Sequence, residues 1–174
     1  MTTPVRYLYL LRHAKSSWDD ADASDHEREL APRGRRATKV IARYIREHRI
    51  EPTVVLCSSA RRAVETLAGL GGSLGSSAST SVEEELYGAT AEELVERLRR
   101  VPDGTESVLL VGHNPGLQDL GILLAGGGDR DALARLRTKL PTAALVTLDF
   151  EGRWRELGPV TGTLRSVVAP KDLG

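Results

Sequence analysis

Cysteine is almost missing from this chain: Cys57 is the single one in 174 residues. One thiol excludes an internal disulfide and a thiolate metal cluster, and at the end of an apolar run it reads as an inert core thiol. Net charge is also missing, because Lys+Arg and Asp+Glu stand at 24 each. No bulk field then draws the chain to nucleic acid or to an anionic membrane, and any anion site has to be local. No apolar stretch approaches the roughly 20 residues of a membrane helix, and the N-terminus carries no long apolar h-region, so a soluble cytoplasmic protein is expected. There is no G-x-x-x-x-G-K-S/T loop to support hydrolysis of nucleotide triphosphates, and the histidines lack close partners at ligand spacing, so no metal or other cofactor is expected. No internal repeat is visible, and the length suits one domain spanning residues 1–174.

What is present is strands alternating with amphipathic helices. Tyr7 to Leu11 is an apolar run with β-forming tyrosines that breaks abruptly into Arg12-His13. Ser16 to Glu29, with Asp19, Asp20, Asp22 and Asp25, has no period and reads as a loop. Pro32 opens a helix whose Ala37, Val40, Ile41, Tyr44 and Ile45 share one face, with Arg35, Arg36, Lys39, Arg43 and Arg46 largely opposite as solvated charge. Thr53 to Cys57 is a β-branched run suited to a central parallel strand, and Ser58 or Ser59 caps the next helix, which places Arg62 in its first turn. Gly69 to Ser81 reads as a mobile connection, Val82 to Tyr87 as a short edge strand, and Thr90 with Glu93 as a capping box. Ser107 to Val111 is a buried strand turned by Gly112-His113-Asn114-Pro115-Gly116 into another helix, with Asn114 as N-cap and Pro115 at N1. Gly126 to Gly128 reads as a loop, and Ala143 to Phe150 with Arg153 to Leu157 as a hairpin about Glu151-Gly152. Tyr7, Tyr9, Leu10, Leu11 and Trp18 read as packing residues; His26 and His48 receive no role.

This alternation predicts a three-layer α/β/α fold around a mostly parallel sheet with an antiparallel margin. The C-terminal ends of its parallel strands share one rim, which is where such sheets hold ligands. Arg12, His13, Arg62 and His113 would all lie there, forming a pocket for a tetrahedral dianion. Arginine forks neutralise phosphoryl oxygens bidentately, and helix N-termini add N–H donors. A histidine attacks phosphorus through an unprotonated ring nitrogen, which nearby guanidiniums favour by lowering its pKa. One histidine would be the nucleophile and the other would stabilise charge in the transition state.

The motifs carry a resemblance. LRHAKSSW resembles the Arg-His-Gly signature of the histidine phosphatase superfamily, with Ala14 in place of glycine as in its phosphohistidine phosphatase (SixA-like) branch. SSARRAVET is similar to the second arginine motif and selects Arg62 over Arg61. VGHNPG resembles the second-histidine motif, and LAPRGRRA fits the first helix. The resemblance implies a phosphoglycerate mutase-like fold, with His13 as the phosphorylated nucleophile, Arg12 and Arg62 holding the phosphoryl group and His113 completing the pocket. It also implies that Ser16 matches a hydroxyl contacting phosphate; Asp19 departs from the asparagine of those relatives.

Ester hydrolysis requires an acid to protonate the leaving oxygen, and Glu83, Glu84 and Glu85 are the candidates, although a glutamate run is also an ordinary solvated face. A phosphoramidate demands less, because a departing imidazole already carries its proton. The expected activity is therefore a metal-independent phosphatase acting on protein phosphohistidine. The alternatives are a small-molecule phosphomonoesterase with a phosphorylated metabolite as substrate, and a non-catalytic phosphate-binding module. The sequence leaves the oligomeric state open.

Overall fold

The side-chain alternation of β1 (Val5–Arg12) divides the molecule into layers. Leu8 and Leu10 enter one apolar cluster, whereas Leu11, with Tyr9 half-buried beside it, enters the other. The same split repeats in β4 (Ser107–Gly112), where Val108 and Leu110 face the first cluster and Leu109 and Val111 the second. Both faces of these central strands are covered, which explains their uninterrupted apolar sequence.

The structure, a computed structural model, describes residues 3–174. Besides β1 and β4 its strands are β2 (Val54–Ser58), β3 (Ser79–Glu83), β5 (Ala125–Gly128), β6 (Leu145–Glu151) and β7 (Gly162–Val168). They form one sheet in the order β3-β2-β4-β1-β6-β7-β5. β3, β2, β4 and β1 pair in parallel, β6 runs against both β1 and β7, and β5 pairs in parallel with β7. The fold is thus α/β with a mostly parallel sheet, its antiparallel strand lying beyond β1 on the side away from the parallel block. Helices α1 (Pro32–Glu47) and α2 (Arg61–Gly69) cover one face, with Ile41, Ile45 and Ala63 in its cluster. On the other face lie α3 (Ala91–Arg99), α4 (Gly116–Leu124) and α5 (Arg130–Thr138), through Leu94, Leu98, Leu117, Leu120 and Leu136. Among the described residues no helix is long and apolar enough to cross a membrane.

Several local expectations are corrected. The chain does turn at Gly152, where φ is 114°, but Trp154 then plunges into the core as part of a 3-10 turn and donates Nε1–H to the Thr105 carbonyl at 2.8 Å. The partner of β6 is therefore the later strand β7. Gly126 to Gly128 belongs to β5, and the edge strand begins at Ser79, inside the stretch read as a mobile connection. That stretch also holds a 3-10 turn, Gly71–Leu74, with Leu74 buried. Tyr7 is half exposed because it sits near the N-terminal end of β1, while Leu8 takes the buried position. Trp18 is 73% exposed, with the Arg28 guanidinium 3.3 Å above its ring rather than packed into a core.

Candidate active site

Register brings the predicted residues together. Arg12 pairs with Gly112 across β1 and β4, and Cys57 pairs with Val111 across β2 and β4. The residues that follow, His13, Ser58 and His113, consequently leave the sheet on one rim. The His13 amide donates to the Gly112 carbonyl at 3.0 Å, and Ala143, in the loop before β6, donates to the His13 carbonyl at 3.1 Å. The rings of His13 and His113 lie 5.1 Å apart at 51°.

His13 is 7% exposed, and its Nδ1 lies 2.7 Å from the Ala14 carbonyl. A carbonyl only accepts, so Nδ1 bears the hydrogen and Nε2 of the neutral ring carries the free lone pair. Burial, with His113, Arg62 and Arg12 close by, pushes the His13 pKa down to about 3, against the opposing pull of the Ala14 hydrogen bond. The nitrogen that faces away from Ala14 is therefore unprotonated at neutral pH.

His113 is held differently. Its Nε2 lies 2.7 Å from Ser58 Oγ, which accepts the Ala60 amide at 3.2 Å. Because Ser58 Oγ already accepts the Ala60 amide, we assign its hydroxyl proton to Nε2, which places the ring hydrogen on Nδ1. Burial and the neighbouring Arg62 push this histidine down to about 4, so it too is neutral. Its Nδ1 is buried without a hydrogen-bond partner among the described residues, as is Arg12 Nε. Each such donor left unmet costs about 1–3 kcal/mol. Arg12 Nη1 is fixed by the Leu140 carbonyl at 2.9 Å, which also accepts from Asn114 Nδ2 at 3.0 Å.

Arg62 reaches the rim from the first turn of α2 and is 7% exposed. Its Nη1 donates to the Asp25 carbonyl at 2.6 Å and its Nη2 to Asp25 Oδ2 at 3.1 Å. Asp25 also accepts from the Tyr87 hydroxyl and, through Oδ1, from Arg28 at 3.1 Å. The Tyr87 bond, followed by those from Arg62 and Arg28, holds the Asp25 carboxyl down to about 2. Tyr87 in turn stands edge-on to His113, with ring centroids 5.5 Å apart. Arg61, by contrast, is half exposed and pairs with Glu65 and Glu29.

Asp25, Tyr87 and Ser58 were not anticipated as site residues. Asp25 lay in an acidic stretch without period, although the structure turns it into a 3-10 turn over Asp25–Glu27. Ser58 was read as a helix cap, but α2 is preceded by Ala60 with no side-chain cap. Asn114 and Pro115 also shift: α4 begins at Gly116 after a cis Asn114–Pro115 bond, and Asn114 Oδ1 accepts from the Gln118 amide at 3.3 Å. Ser16 is buried with its Oγ accepting from Arg28 Nη2, and Arg12, Arg62 and His113 are not among its hydrogen-bond partners. Asp19 is exposed on the loop after β1.

The glutamate run is remote in its bonding. Arg97 grips Glu83 through two bonds of 2.7 and 2.8 Å, which holds the Glu83 carboxyl down to about 2, and Glu85 pairs with Arg100 at 2.7 Å. An ionised carboxylate of this kind has no proton to give. Among the described residues no group of three or more His, Cys, Asp or Glu side chains is placed to hold a metal ion.

Comparison with known proteins identifies the family and the fold. The sequence profile of the histidine phosphatase superfamily (branch 1) matches residues 8–88. An uncharacterised protein of Mycobacterium tuberculosis is 36% identical over 163 residues, 92% of this chain and all of its own length. The structure of a candidate phosphohistidine phosphatase SixA from Nakamurella multipartitia superposes with a TM-score of 0.81 at 29% identity, covering 98% of this chain and 99% of that one. The structure of a protein histidine phosphatase SixA complexed with tungstate has the same fold, with a TM-score of 0.79 at 23% identity over 97% and 99% of the two chains. The chain belongs to the histidine phosphatase superfamily and to its SixA-like group.

Proposed function

We propose that the protein is a phosphatase that works through a covalent phosphohistidine on His13 and removes the phosphoryl group from phosphohistidine in other proteins. The observation that carries this reading is the Nδ1 bond to the Ala14 carbonyl, which leaves Nε2 of a neutral His13 as the nucleophile beside two arginines and a second neutral histidine. In the first step a bond forms between Nε2 and phosphorus while the substrate's P–N bond breaks. Arg12 and Arg62 neutralise the equatorial oxygens and His113 donates from Nδ1. The substrate imidazole, protonated beforehand on its other nitrogen, leaves as the neutral ring. Water then cleaves the phosphohistidine and releases inorganic phosphate.

The carboxylates near the rim favour this substrate class over esters. Glu83 is ionised against Arg97, and Asp25 is ionised among Tyr87, Arg62 and Arg28. Neither of these two carboxylates has a proton to hand to an ester oxygen, and general acid catalysis is worth about 10²–10⁴-fold. Steady-state kinetics should give kcat/KM at least about 10²-fold higher for a phosphohistidine peptide than for a phosphomonoester of similar size. Equal or better turnover of the ester would transfer the reading to a small-molecule phosphomonoesterase. Binding of phosphate without turnover of either substrate would reduce the site to a binding module.

A further inference from the structure

Beyond His113 the rim opens into a cavity of about 440 Å³ between the turn before α3 and the start of α4. Ala89, Pro115, Ile122 and Leu123 make an apolar wall, and Ile122 is 41% exposed there. Glu92 and Asp119 line the same cavity from the first turns of α3 and α4, and no lysine or arginine lines it. The arginines of the α3 region are engaged elsewhere, by Glu83, Glu96 and Glu85, leaving Glu92 and Asp119 without a cationic partner among the described residues.

His113 is common to this cavity and to the phosphoryl site, so the two form one continuous surface of opposite charge at its ends. At one end Arg12 and Arg62 attract the phosphoryl dianion. At the other, two carboxylates beside an aliphatic wall attract a cation carried on an apolar stem. A metabolite bearing a second anionic group would meet like charge there, and a sugar has nothing to set against Ile122 and Leu123.

We propose that the cavity receives the polypeptide flanking the target phosphohistidine, and that it selects a segment with lysine or arginine for Glu92 and Asp119 and an aliphatic side chain for the Ile122–Leu123 wall. The proposal rests on the phosphatase reading for its phosphoryl group, and one set of measurements separates the two. Peptides carrying a non-hydrolysable phosphonate analogue of phosphohistidine, flanked by Lys-Leu or by Glu-Ser, are titrated by fluorescence anisotropy. Turnover of free phosphoramidate is measured in parallel.

The Lys-Leu peptide should bind about five- to tenfold more tightly, as expected for one lysine between two exposed carboxylates with some apolar contact. Neutralisation in Glu92→Gln/Asp119→Asn should abolish the preference, and Glu92→Lys/Asp119→Lys should reverse it, with phosphoramidate turnover within about twofold of the parent. Equal affinities in the parent, or a preference that survives charge reversal, would overturn the cleft assignment. Loss of all phosphoramidate turnover in the parent would instead overturn the phosphatase reading and leave the binding preference to stand or fall by itself.

Discussion

At the scale of single residues, the reactive state of the rim depends on which ring nitrogens carry hydrogen, and Ser58 is the residue that decides this for His113. Ser58→Ala removes the partner of Nε2 and frees the ring to place its hydrogen on either nitrogen. One hydrogen bond of this kind is worth about 1 kcal/mol, so turnover should fall roughly five- to tenfold while KM changes little. Nitrogen NMR of the parent should show the Nδ1–H tautomer of His113, and of Ser58→Ala a mixture. An unchanged kcat and an unchanged tautomer would remove Ser58 from the account. Much of the residue-scale picture was legible in the sequence: Arg12, His13 and His113 emerged from where apolar runs stop, and Arg62 from a helix start, with the family motif choosing it over Arg61. Asp25 and Ser58 were not, for different physical reasons. Asp25 matters through a 3-10 turn folded onto Arg62 from 37 positions away, a contact no local period can encode. Ser58 has the right chemistry to cap α2, and only the register of β2 against β4 shows that it faces His113 instead.

The elements that carry these residues are positioned by close backbone approach. A Cβ at Gly116, the first residue of α4, would stand 2.0 Å from the Ala89 carbonyl oxygen. The absence of a side chain therefore lets the start of α4 touch the turn before α3, bringing His113 next to Tyr87. Gly116→Ala should destabilise the fold by about 1–3 kcal/mol, the usual range for forced overpacking. Urea denaturation measures it through the unfolding midpoint, and a midpoint equal to that of the parent would show that this approach is not tight. Helices and buried strands were legible because each has a continuous period or a continuous apolar run; the Thr90–Glu93 capping box also forms as expected, with Thr90 accepting from the Glu93 amide at 3.2 Å. The second half of the chain was read less well. Glycine-rich β5 has almost no side chains to reveal a strand, and Trp154 follows a good turn signal yet is drawn into the core by its own large apolar surface.

For the whole molecule, one buried and one partly buried neutral histidine make stability depend on acid. Both have folded pKa values below the ordinary 6.5, at about 3 for His13 and about 4 for His113. The unfolded chain takes up protons below about pH 6.5 while the folded chain does not until about pH 4, so the unfolded state binds more protons in that window and stability falls as pH falls through it. The urea midpoint should decline between about pH 6.5 and about pH 4, and His113→Gln should decline less over the same range. A flat midpoint in the parent would mean that the two rings are not held neutral.

The covalent step itself gives the most direct test. The protein is mixed with a labelled phosphoramidate donor, quenched within the first turnover in alkali, where a phosphohistidine survives, and digested for mass spectrometry. The account predicts one phosphorylated histidine, at His13, whose label is lost in acid, and no labelled histidine in His13→Ala. Label on His113 instead, or full turnover by His13→Ala, would contradict it.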